Sequence, residues 1–168
     1  MDAFTPVIIL HAVAALVVLL LGPFQILRRR RDRAHRMLGT FWAGAMVVTC
    51  VSSFWIVDHG FSWLHGLSIW TLVCLVAAIV GIRSGSVEVH RGFMVGSYLG
   101  TLIAFGFAAL VPARLIPQLL RSEPLIAVVT LIGVAAAVTV LVVAVLRAQP
   151  TQPTGRRTSV PPVPTSSM

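Results

Sequence analysis

The sequence predicts an all-α polytopic membrane protein, a helical bundle with five transmembrane helices. Three observations lead there. Of 168 residues, 57% are hydrophobic and only 11% charged, with a mean hydropathy of +0.93; an average soluble domain carries roughly 25% charged residues. The apolar residues fall in five runs, each near the ~20 residues that a helix needs to cross the hydrocarbon layer. The charges sit in short clusters between the runs, so the net charge of +8 belongs to membrane loops and not to a nucleic-acid surface.

The first span covers about Val7–Leu27 and carries Gly22-Pro23-Phe24-Gln25 near its end. It lacks the basic n-region of a secretory signal and runs at once into an arginine block, a stop-transfer pattern. Spans two and three cover about Met37–Val57 and Phe61–Ile82, with Trp55 and Trp63 as interface anchors at their joined ends. Cys50 and Cys74 lie within these spans and read as small apolar residues. Span four, about Phe93–Val111, has Gly96 and Gly100 in one stripe with the preceding Gly92, a pattern that lets helices approach closely. Span five covers about Leu125–Leu146. Residues 1–147 thus form the bundle. The tail 148–168, rich in Pro, Ser and Thr, cannot bury a core and reads as disordered.

Orientation follows from the arginines, because the chain has no lysine. Arg28, Arg29, Arg30, Arg31, Arg33 and Arg36 fill the first connection, Arg83 and Arg91 flank the third, and Arg147, Arg156 and Arg157 follow span five. Only Arg114 and Arg121 lie on the opposite side. The positive-inside rule places the N-terminus outside and the tail in the cytoplasm of a bacterial inner membrane. Anionic lipid is the expected partner of the Arg28–Arg36 loop, beside a membrane-protein partner or a second copy; nucleic acid is not.

The histidines repeat. His11 precedes His35-Arg36 by 24 residues and His65 precedes His90-Arg91 by 25, so the first four spans fit a duplicated helix pair. Alternating directions put His11 with His65 near one surface and His35 with His90 near the other. In an up-down bundle each pair faces across a diagonal. That is the layout of two bis-histidine heme b sites, with Arg36 and Arg91 near the propionates of the second. The plainer readings stand beside it: His35 and His90 hydrated or on lipid phosphate, His11 and His65 bonded between helices, His59 in solvent. Gln25 either caps the carbonyl freed by Pro23 or bonds into a site.

His11, Gly22-Pro23-Phe24-Gln25, His35-Arg36-x-x-Gly39, His90-Arg91-x-x-Met94 and Arg114 together resemble the bacterial membrane-protein family called domain of unknown function 2306, over about Val7 to Pro117. The resemblance implies a membrane bundle and carries no activity with it. The four-histidine layout is similar to that of diheme cytochrome b561 proteins in arrangement alone. Two functions therefore compete: transmembrane electron transfer through bis-histidine heme, and a heme-free scaffold, assembly subunit or small-solute or proton transporter. No Walker loop or His-Glu-x-x-His helix is present, and all five acids lie outside the spans, which removes the common nucleotide and zinc chemistries and a buried acidic relay.

Overall fold

The computed structural model describes residues 4–28, 30–56, 60–111 and 115–148. The readings of the tail, His59 and Arg114 lie outside these residues. Six helices follow in order: α1 Phe4–Leu27, α2 Arg33–Ser53, α3 Trp63–Arg83, α4 Val87–Leu110, α5 Leu115–Ser122 and α6 Pro124–Arg147. There is no strand among the described residues.

Two of the turns have a clear local cause. Asp32 caps α2 by accepting the His35 N–H at 3.0 Å, and Arg28 pins the same carboxylate at 2.6 Å. Between α3 and α4 the chain reverses at Gly85, whose φ of +83° suits a residue without Cβ. That hairpin is tight: a Cβ on Gly81 would lie 2.7 Å from Val89 Cγ1.

The first four long helices form a ring, α1 on α2, α2 on α3, α3 on α4 and α4 back on α1, with α6 outside against α1 and α2. The two diagonals, α1–α3 and α2–α4, are those expected of an up-down bundle. Polar side chains fix the register of α1 against α2 along its whole length. His11 meets Thr49 and Ser52 at one end, Trp42 Nε1 donates to Val18 O at 3.0 Å in the middle, and Gln25 Nε2 donates to His35 O at 3.0 Å at the other end. The waist is filled by Val18, Leu21, Leu38, Trp42 and Met46, all nearly or wholly buried.

Pro23 lies inside α1 and has no N–H to give the carbonyl of Leu19. The hydroxyl of Tyr98, on α4, donates to that carbonyl at 3.2 Å. Gln25 is spent elsewhere, so the freed carbonyl is not its task. Gly22 makes the arrangement possible, because a Cβ there would run into the Tyr98 ring.

One expectation is met in part and two need correction. Four helices, α1, α3, α4 and α6, are long and apolar enough to cross a membrane by length and composition; α2 is not among them. Its 21 residues include Arg33, Arg36 and four hydroxyl side chains, which lower its hydropathy although its length suffices. The span-four glycine stripe does not pack: a Cβ on Gly92 or Gly96 would meet nothing within 4 Å, and on Gly100 only ordinary contacts at 3.7 Å or more. The segment read as a plain connection before span five contains α5.

Close approach at Gly22 and open space at Gly96 give a paired test. Gly22→Ala should cost about 1–3 kcal/mol, the usual range for overpacking, while Gly96→Ala should be near neutral or slightly stabilising. Thermal unfolding of both variants in one detergent checks the contrast.

Candidate functional site

The bundle has two polar ends separated by the filled waist. At the end away from the Arg28–Arg36 loop, His11 Nδ1 lies 3.0 Å from Thr49 O and 3.0 Å from Ser52 Oγ. A carbonyl only accepts, so Nδ1 carries the hydrogen and the ring ties α1 to α2. Ser53 Oγ donates to Ser68 Oγ at 2.9 Å and ties α2 to α3. His65 is used differently. The backbone N–H of Ser62 donates to His65 Nδ1 at 3.0 Å, which makes this nitrogen the acceptor and the ring a cap on the first turn of α3. The ring is buried, stacked on Phe61 at 5.3 Å and tilted against Phe54 at 5.8 Å.

At the arginine-rich end, His90 Nδ1 donates to Ala78 O at 3.0 Å and ties α4 to α3. His35, across the diagonal, feels His90 electrostatically. Burial, then His90, Arg31 and Arg28, hold the His35 imidazole below its usual range against the opposing Asp32. Asp32 is itself held below the usual carboxylate range by the His35 N–H and by Arg28. Arg36 and Arg91 are exposed. Arg36 lines an open, largely apolar groove of about 490 Å³ with Met37, Thr40 and Phe41. At 100° per residue these four positions lie on the side of α2 away from His35.

The four histidines were expected to form two heme sites. An iron-ligating imidazole keeps one nitrogen for the metal and gives the other N–H to a carbonyl or carboxylate. His11 and His90 have that tautomer. His65 has the reverse one, since its Nδ1 accepts and its hydrogen is on Nε2, the ring nitrogen left to face a metal. The His35–His90 pair meets a different obstacle: the interior at its level is closed by Ala34, Leu38, Leu75 and Ala78, each no more than 3% exposed. A porphyrin there would displace close-packed side chains. The residues present do not fit heme at either level. Among the described residues, no three of His, Cys, Asp and Glu come together as a metal-binding group.

A cluster that the sequence reading had not assembled lies at the arginine-rich end. Gln25, Arg28, Asp32 and His35 form one hydrogen-bonded network across the α1–α2 turn. Three buried side-chain atoms are without a partner among the described residues, and all three are on residues of this network, which His35 joins through its backbone: Gln25 Oε1, Arg28 Nε and His35 Nδ1. Buried polar atoms are ordinarily paired, and each exception asks for a cause. The signal in the sequence was Gln25, a polar residue at the end of an apolar run.

A family profile described as predicted membrane protein (DUF2306) matches residues 8–147. No curated protein and no solved structure matches the chain.

Absorbance tests the argument against heme. The purified full chain, expressed with ample heme, should show no Soret band at one heme per protein. A stoichiometric band that disappears in His35→Ala and in His90→Ala would overturn it.

Proposed function

This chain belongs to the DUF2306 family of predicted membrane proteins, and from that premise we propose that it is a heme-free scaffold of the bacterial inner membrane that docks anionic lipid at its cytoplasmic end. Five helices cross. The reading of α2 as a crossing rests on its bonds to α1 at both ends and in the middle, which carry it through the same depth as a helix that qualifies by composition. The N-terminus is outside, by the eleven-to-two division of arginines.

The observation that carries the functional reading is where polar groups are spent. In the waist and at the outer end, His11, Trp42, Ser53, His65 and Tyr98 are all used to join or cap helices. Among the described residues, the buried side-chain polar atoms left over are at the cytoplasmic end, beneath the exposed Arg30, Arg31, Arg33 and Arg36. Passage of a solute or proton fits less well, because Leu21, Leu38, Trp42 and Met46 close the waist and no acid lies within it. Electron transfer fits less well too, because the close packing beside His35 and His90 and the accepting Nδ1 of His65 speak against heme.

Surface arginines near an anionic leaflet contribute about 1 kcal/mol each to lipid attraction. Replacing Arg30, Arg31, Arg33 and Arg36 together by Gln should therefore abolish most enrichment of phosphatidylglycerol over phosphatidylcholine around the protein. Native mass spectrometry of protein extracted from mixed vesicles measures this. Equal recovery of both lipids by the unmodified chain would end the proposal.

A further inference from the structure

We infer that the Gln25–Arg28–His35 network is a specific site for a phosphate group that also carries hydroxyls, as the headgroup of phosphatidylglycerol and free glycerol phosphate both do. This rests on the lipid-docking reading and sharpens it from a charged surface to a defined set of atoms.

The unpartnered atoms specify the ligand. Arg28 Nε is a donor and needs an acceptor. Gln25 Oε1 is an acceptor and needs a donor; its orientation is fixed because Nε2 already donates to His35 O at 3.0 Å. His35 Nδ1 serves either role, according to the tautomer. A bare anion satisfies Arg28 and leaves Gln25 wanting. A neutral alcohol does the reverse. One molecule with both an anionic oxygen and a hydroxyl satisfies the set.

Charge and position agree. Asp32 offsets Arg28 through a 2.6 Å ion pair, but Arg30, Arg31 and Arg33 stand exposed beside the network and leave it positive. The Arg28 side chain is only 13% exposed while that of Asp32 is 36% exposed, so the network opens to the surface on the Asp32 side. It lies at the ends of two membrane helices, the depth of phospholipid headgroups. Gly39 holds the geometry: its missing Cβ would come 3.0 Å from Gln25 Nε2.

The test compares two lipids of equal charge, phosphatidylglycerol and phosphatidylmethanol, which differ by the headgroup hydroxyls. The full chain in detergent is titrated with each and bound lipid is read by native mass spectrometry. Phosphatidylglycerol should bind about tenfold more tightly. Arg28→Lys keeps the charge but moves the donor, Gln25→Met removes the acceptor, and Gly39→Ala crowds the amide; each should bring the ratio close to one. Phe41→Leu, exposed on the other side of α2, should leave it unchanged. Thermal midpoints identify any variant that has failed to fold, and any one folded variant of the first three suffices.

Added glycerol phosphate separates the sources. Displacement of the lipid means that the headgroup alone is recognised, and retention means that the lipid is the ligand; either supports the site. Equal binding of the two lipids by the unmodified chain would overturn the inference and leave a buried water as the occupant. A tenfold ratio that survives in every folded variant would overturn it as well. Equal binding with both lipids still favoured over phosphatidylcholine would sink this site and spare the general docking reading, whereas no preference for either would sink both.

Discussion

The carbonyl of Leu19 is the group around which the bundle is arranged. In hydrocarbon no water can take a hydrogen-bonding group that a proline has released. Pro23 releases this one, and the hydroxyl of Tyr98 reaches it from α4. The reach brings α4 onto α1 and closes the ring begun by the α1–α2 and α3–α4 hairpins. Once α1 and α4 touch, the diagonals are settled, and so is the filled waist between them. Gly22 and Pro23 are therefore one device: the proline creates the need and the glycine leaves room for the ring that meets it.

Much of the architecture was legible in the sequence, and for physical reasons. Long apolar runs can only be spanning helices, and short connections force neighbouring helices to run in opposite directions, which gives the ring and its diagonals. What escaped was whatever depends on facing. The glycine pattern on α4 looked like an interface, yet Gly92 and Gly96 point into open space, while the glycines under pressure are Gly22, Gly39 and Gly81. Spacing shows that residues share a stripe; it does not show what stands opposite. The lower hydropathy of α2 comes from Arg33, Arg36 and its hydroxyl side chains, two of which, Thr49 and Ser52, lie on its buried side.

The site was legible in part. Sequence reasoning found the histidines, and the His11 bond to α2 agrees with the plainer of the readings given to it. It did not find tautomers. His11, His65 and His90 each use Nδ1, yet a carbonyl faces two of them and a backbone N–H faces the third. That difference decides whether a ring keeps a lone pair on its other nitrogen, and no spacing encodes it. The Gln25–Arg28–Asp32–His35 network was missed because its members belong to two helices and a turn, and only the antiparallel register brings Gln25 to the backbone of His35.

The position of α6 bears on how the protein is made. All the contacts that close the ring lie within the first four long helices, and α6 joins later in the chain, on the outer side of α1 and α2. Chains emerge and fold from the N-terminus. A nascent polypeptide therefore holds everything the ring requires before α6 leaves the ribosome. That helix then arrives as a clasp across an assembled unit, covering a seam that until that moment is bathed by lipid.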